Sequence, residues 1–347
     1  MTVGLLFAAL GTGLPFASAE SVVLGPPNQD GPTVVRASFR LRDINAIDDE
    51  AETFEFSGVL TLRWLDERKA FDPEQAGVRV KIFQGDFQFN EVSPAWFPQV
   101  VLANESGLFQ RHGVILRVLP DGTSTLTADL NAVAEADLDL RRYPFDQQRL
   151  EAVFEVLGVD TTEVVLEAAE HIGSPEELRL RTPQWTLTGV RASTMERAIP
   201  GSAEPRSVSA FVLSVDVERR SFFVVRLIVI PLALIVMLSW SVFWMDRSSI
   251  ADRINLSFIG ILTAVAYQIV VSDIQPHISY VTLLHGFLNL SLLLMGATVV
   301  VNLVVGALDQ RGQAEAGDRL DRICRWAFPA TYFGLSAVMA LIAFTFF

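Results

Sequence analysis

The chain has 347 residues, half of them hydrophobic, a mean hydropathy of +0.36 and a net charge of −13. That is too apolar for an ordinary soluble two-domain protein, and an acidic chain without a basic patch excludes nucleic acid as a partner. One cysteine, Cys324, excludes a disulfide framework. No Gly-rich phosphate loop, HExxH, CxxC or GxSxG is present, so neither an enzyme nor a cofactor is expected.

The chain opens on an apolar run, Val3 to Leu10, that leads to Ala17-Ser18-Ala19. A small-x-small triplet after such a run is what signal peptidase accepts, so residues 1–19 are expected to be a signal peptide. Residues 20–219 then read as an exported domain. Their stretch 20–218 holds 33 acidic against 18 basic side chains, so it carries the whole negative balance. Phe54, Phe56, Gly58, Leu60, Leu62 and Trp64 alternate with polar neighbours, the period-2 pattern of a half-buried strand. Similar runs at 33–41, 114–119, 149–157, 185–191 and 208–217 predict an extracellular antiparallel β-sandwich. Pro120-Asp121-Gly122 is the expected turn between two of them. His112, His171, His277 and His285 are scattered, and no metal site is expected from them.

Residues 220–347 form the expected transmembrane domain of four helices, at 221–244, 254–272, 281–306 and 326–347. Each is long enough to cross a hydrocarbon core of ~30 Å. Arg247 and Arg253 flank the first connection, Arg311, Arg319, Arg322 and Arg325 fall in the third, and the second has neither Lys nor Arg. The positive-inside rule therefore puts the first and third connections in the cytoplasm and the N-terminal domain outside it. A multi-pass protein of the cell (inner) membrane follows.

The second segment differs from the others, because it carries Asn255, Ser257, Thr263, Tyr267, Gln268 and Ser272. A helix bathed in lipid avoids that load, so this one is buried or lines water. Positions 255, 259, 262, 266, 269 and 273 step by four and three along one face, reading Asn, Ile, Leu, Ala, Ile, Asp. A second stripe, Gly260, Thr263 and Tyr267, serves equally well as a packing seam. Periodicity alone leaves pore lining and helix packing both open.

Several short motifs, in order, settle the choice. Tyr143-Pro144-Phe145-Asp146 followed by Gln148, Trp64-Leu65-Asp66, Trp96-Phe97-Pro98 with Asn104, Arg219 ahead of Pro231, and Leu238-Ser239-Trp240 with Phe243-Trp244 stand at fixed spacing. Together they resemble the bacterial pentameric ligand-gated ion channels, the Cys-loop receptor superfamily without its cysteine pair. Those cysteines would fall on Ala136 and Leu150. Gln99 departs from the acidic residue usual in its segment.

By that resemblance the second helix lines the pore, with Asn255, Ile259, Leu262, Ala266, Ile269 and Asp273 as successive rings from the cytoplasm outward. Rings of Leu262, Ala266 and Ile269 make a constriction that water leaves, a hydrophobic gate. Asp252 and Asp273 would put carboxylates at the two mouths and favour monovalent cations. Arg253 beside Asp252 complicates the inner mouth unless it points away from the axis and pairs elsewhere. The resemblance also implies a gating joint of Asp48, Asp49, Tyr143, Pro144, Phe145, Asp146 and Arg219 with the linker from Gln275 to Ile278, which contains Pro276. The expected assembly is a homopentamer, each chain assembled with four identical subunits in a lipid bilayer.

The agonist is less legible. The positions where relatives build an aromatic cage for amines read Val59, Ala103 and Leu157, and the loop at 195–207 has no aromatic residue. The interface would offer Arg63, Arg117, Phe154, Glu155 and Arg206, a set suited to a small carboxylate or a polar aromatic ligand. Opening by protons is equally admissible, with His277 and many carboxylates near the joint. The leading expectation is a cation channel gated from outside by a small molecule or protons. The alternative is a non-conducting, membrane-anchored ligand sensor, which needs neither acidic mouths nor a polar second helix. A secondary transporter would need inverted repeats, and none is visible.

Overall fold

The computed structural model describes residues 25–28, 30–85, 96–169, 179–180, 182–198, 206–245, 250–272, 275 and 278–346. The expected signal peptide and the expected ring residue Asp273, with Pro276 and His277, lie outside them.

Among the described residues the outer domain is a sandwich of two sheets. Its strands are β1 (Thr33–Asp48), β2 (Thr53–Leu65), β3 (Lys81–Gly85), β4 (Val100–Leu102), β5 (Glu105–Val118), β6 (Thr123–Glu135), β7 (Gln147–Val156), β8 (Val164–Ala168), β9 (Arg179–Leu180), β10 (Trp185–Ala198) and β11 (Ser207–Arg219). A short helix α1 (Pro73–Ala76) interrupts the series. The larger sheet runs β3-β5-β6-β2-β1-β8, with β9 added beside β1, and the smaller runs β10-β11-β7-β4. Most pairs are antiparallel; β8 and β9 lie parallel to β1.

The alternation read in the sequence fixes which side chains turn inward. In β2 each of Phe54, Phe56, Leu60, Leu62 and Trp64 is buried while its neighbours are not. Four phenylalanines join the two sheets at the centre: Phe39 stacks on Phe154 at 5.4 Å, Phe56 meets Phe39 edge-on at 5.8 Å, and Phe211 lies 6.2 Å from Phe154. Gly58 leaves the room for this, since a Cβ there would come within 2.5 Å of the Phe39 ring. The expected turn between β5 and β6 is formed, with Gly122 in the left-handed region at φ +88°. Its Cα face lies against the backbone of Asp66, where a side chain would collide. Asn104 ties the sheets at one corner. Its amide donates to the carbonyls of Glu135 and Glu151, and its oxygen accepts from Val153 N.

Four helices follow: α2 (Phe222–Trp244), α3 (Ile250–Ser272), α4 (Leu283–Gln310) and α5 (Ala314–Phe346). All four are long and apolar enough to cross a membrane. The last begins at Ala314, where hydropathy had suggested 326. Its first three turns carry Asp318, Arg319, Asp321 and Arg322, so they are helical without being apolar. The link between α4 and α5 shrinks accordingly to residues 311–313.

Candidate functional site

Arg219 ends β11, one step before the chain enters α2, and its side chain is buried. Its Nε donates to Asp146 Oδ1 at 2.8 Å and one terminal nitrogen donates to Asp49 Oδ1 at 2.8 Å. The flat faces of the guanidinium meet Trp185 at 4.1 Å and Tyr143 at 4.9 Å. A cation enclosed by two carboxylates and two rings is held by hydrogen bonds and by the ring quadrupoles together. Burial pulls its pKa down, and the bonds and charges of Asp49 and Asp146 more than offset this, so it is raised overall. Asp146 is fixed in turn by Gln148, whose amide donates to it at 2.8 Å and to Asp139 O at 2.8 Å. The resemblance implied Asp49, Tyr143, Asp146 and Arg219 at one joint, and the structure brings them into one cluster with Trp185, which the sequence analysis did not single out.

The loop containing Tyr143 to Asp146 also docks on the membrane domain. Leu283 N, at the start of α4, donates to Arg141 O at 2.9 Å, and the Tyr280 hydroxyl lies 3.0 Å from Leu140 N and 3.2 Å from Leu138 O. The Tyr143–Pro144 peptide is cis. Phe145 reaches Phe344 near the end of α5, with ring centroids 6.0 Å apart. Asp48 does not join the cluster. Its carboxylate accepts from Glu50 N at 3.0 Å and Ala51 N at 2.9 Å, so it shapes the β1–β2 turn instead. In that turn Glu52 adopts φ +51° and offers its carbonyl to Ala136 N at 2.8 Å.

Above this joint lies a cavity of about 660 Å³ lined by Glu52, Glu135, Asp137, Glu151, Arg149 and Asn104. The sequence analysis did not single out these four carboxylates. They come from β6, β7, the β1–β2 turn and the loop that follows β6, and only the alternation of β6 and β7 hints that Glu135 and Glu151 share a side with solvent.

In α3 the residues turned into the bundle are Arg253, Ser257, Ala264 and Val271. Gly260 lies on the same side, where a Cβ would sit 3.3 Å from Ser239 Oγ and 3.2 Å from Met295 Cε. The opposite face carries the expected ring residues. Asn255 and Ala266 are exposed in the single chain, and Ile259, Leu262 and Ile269 are 58%, 67% and 68% exposed. Asp252 is exposed in the first turn.

Its neighbour Arg253 is only 1% exposed. Both terminal nitrogens bind Asp321 of α5, at 2.9 and 2.8 Å, the bidentate geometry that suits a carboxylate. Ser257 donates to Arg253 O at 3.0 Å and accepts from Asn302 of α4 at 2.9 Å. The base of α3 is thereby tied to α4 and α5 by buried polar groups.

The expected ligand residues divide. Glu155 and Arg206 line one cavity of about 410 Å³ with Asp160, Glu163 and Arg197. There Arg197 binds Glu155 at 3.0 Å, and Arg206 approaches Asp160 at 3.9 Å. Arg63 and Arg117 lie on the other sheet, each beside Thr125 of β6, with Arg36 next to Arg63. All are on its solvent face. Phe154 must be removed from the set. At 1% exposure it sits on the inward face of β7 with Leu150 and Ala152, stacked on Phe39, where no ligand reaches it. Among the described residues no group of His, Cys, Asp and Glu is arranged to hold a metal.

A β-sandwich joined through a buried arginine cluster to four helices able to span a membrane defines a multi-pass membrane protein with an extracellular domain. Residues 22–220 match the model of the neurotransmitter-gated ion-channel ligand binding domain, and residues 228–318 match that of the neurotransmitter-gated ion-channel transmembrane region. The chain belongs to the neurotransmitter-gated ion channels, pentameric ligand-gated channels that are not enzymes. It is 28% identical to the proton-gated ion channel of Gloeobacter violaceus over 96% of this chain and 89% of that one. It is 26% identical to the glutamate-gated chloride channel of Drosophila melanogaster over 72% of this chain, and 23% identical to the human gamma-aminobutyric acid receptor subunit rho-3 over 84%. It spans 54% and 62% of those two animal proteins.

Proposed function

We propose that five copies of this chain form a cation-selective channel of the inner membrane, with α3 lining the pore and the outer domain facing away from the cytoplasm. The observation that carries this reading is the division of α3 into two faces. The polar ties of Arg253, Ser257 and Gly260's close approach turn one face inward. The other leaves Asn255, Ile259, Leu262, Ala266 and Ile269 exposed. Five such faces around an axis make polar ends and a constriction that dewets at Leu262 and Ile269.

Selectivity follows from the two charges at the base. Arg253 is neutralised by Asp321 and faces away from the axis, so Asp252 is left to set the sign of the inner mouth. An exposed ring of carboxylates attracts cations, in contrast to the chloride selectivity named for the Drosophila relative.

Opening by protons is the favoured stimulus. The acid-lined cavity of Glu52, Glu135, Asp137 and Glu151 abuts the joint, and the Gloeobacter relative matched over most of both chains is proton-gated. A small ligand held between Glu155 and Arg206 of one subunit and Arg63 and Arg117 of the next is the second reading. It is favoured by the sequence placing these charges on opposite sheets, where neither half encloses a site alone.

The test is to record membrane currents from the wild type and Leu262→Ala under a sodium chloride gradient with external acid steps. Constitutive or acid-evoked current in the variant, reversing near the sodium potential, is the expected result. Reversal near the chloride potential overturns the selectivity argument. Absence of current from both proteins at the cell surface moves the weight to a non-conducting sensor.

A further inference from the structure

Pro231 stands inside α2, just after a stretch, Val225–Val229, that winds as a π-helix. In α-helical register the N–H of residue 231 would reach the carbonyl of residue 227, and in the wider register of this stretch, where Ile230 N–H bonds Val225 O, it would reach that of residue 226. Proline has no N–H, so α2 cannot supply that donor to Leu227. In a bilayer no water replaces it, and an unpaired carbonyl there is costly. The donor comes from the neighbouring helix: the Tyr267 hydroxyl of α3 bonds the Leu227 carbonyl.

We propose that this hydroxyl is the positioning group that holds the outer half of the pore helix against α2 and so sets how readily the channel opens. The proposal rests on the pore reading of α3 given above. The base of α3 is fixed by the Arg253–Asp321 pair and the Ser257–Asn302 bond. Among the described residues its outer half has two hydrogen bonds to other helices, Tyr267 to Leu227 and the longer bond of Gln268 to Leu288 O at 3.3 Å.

The path from the joint is short and covalent. Arg219 leads through Ser221 and Phe222 into α2, and Leu227 lies within two turns of that entry. Displacement of the Arg219 cluster moves α2, and the Tyr267 bond passes it to the helix bearing Leu262, Ala266 and Ile269. Proline creates the open acceptor and tyrosine fills it, so the two residues act as a unit. A tyrosine that merely packs would act independently of residue 231.

That dependence is the test. Tyr267→Phe removes only the hydroxyl. Pro231→Ala returns a backbone N–H at this turn and, by letting regular α winding resume, offers Leu227 a donor in place of the hydroxyl. Acid-evoked currents would be recorded from the wild type, the two single variants and the double variant, with pentamer yield checked by gel filtration. Tyr267→Phe is expected to shift the half-activating proton concentration by about two- to ten-fold, the size of one hydrogen bond, at unchanged reversal potential. In the Pro231→Ala background the same change should be less than about two-fold. No shift in either background, or an equal shift in both, overturns the proposal.

Should the wild type carry no acid-evoked current, the channel or stimulus reading has failed and the bond is judged separately. The rate at which a water-soluble thiol reagent modifies Ile269→Cys in liposomes then decides. A change of at least about three-fold on adding Tyr267→Phe, absent with Pro231→Ala, supports the positioning role. An unchanged rate, or the same change in both backgrounds, removes it.

Discussion

Asp49 and Asp146 each lie 2.8 Å from the Arg219 guanidinium, and Tyr143 and Trp185 cover its faces, so little water is left to solvate any member that loses its partner. Removing one side of such a buried pair costs about 3–5 kcal/mol, several times a surface ion pair. Arg219→Ala is therefore expected to destabilise the outer domain by that order and to abolish or strongly right-shift the acid response. Urea unfolding and current recordings at matched surface expression check both, and an unchanged response removes the coupling role. The buried pair of Arg253 and Asp321 obeys the same logic. Asp321→Asn strands the Arg253 cation and should lower pentamer thermal stability sharply. Arg253→Met with Asp321→Leu, which removes both charges, should restore much of it. Arg219 was legible because its motif neighbours fix its place in the chain. The partner of Arg253 was not: Asp321 is 68 residues away, among other acids of one charged stretch, and only the packed register of α5 selects it.

Helical period alone gave α3 two candidate stripes, and the packing of Gly260 against Ser239 and Met295 assigns one of them to the seam. Thr263 of that stripe remains exposed, so the seam follows small and polar anchors more than the stripe as a whole. Strand alternation was read more fully, because burial on one face at period two leaves no second solution in β2 or β7. It also should have kept Phe154 out of the ligand set, since Phe154 shares its parity with Leu150. The start of α5 escaped hydropathy for the opposite reason: its first turns are amphipathic. At its other end, Phe344 meets Phe145 of the docking loop. Phe344→Ala should weaken that contact by about 0.5–1.5 kcal/mol and shift the half-activating proton concentration by up to about ten-fold, with conductance unchanged. Dose–response curves with single-channel amplitudes separate the two effects.

At the scale of the whole molecule, acidity is concentrated in the outer domain, above the mouth it would feed with cations. Replacing Glu52, Glu135, Asp137 and Glu151 together by their amides should leave assembly and the Leu262→Ala leak intact while making the wild-type gate insensitive to acid steps. Persistence of a full acid response in that variant would move the sensor elsewhere. The two-domain architecture and the order of elements were legible from patterning and motifs. The cavity was not, since it is made where a turn and three strands converge. The connection of residues 311–313, with Gly312 in the left-handed region at φ +73°, has one more consequence. A hairpin this tight holds the ends of two helices side by side at the membrane edge, and a compact protein whose own termini are adjacent can be spliced between them without prying the bundle apart. That makes the hairpin the natural cassette for a fluorescent reporter or a tethering module.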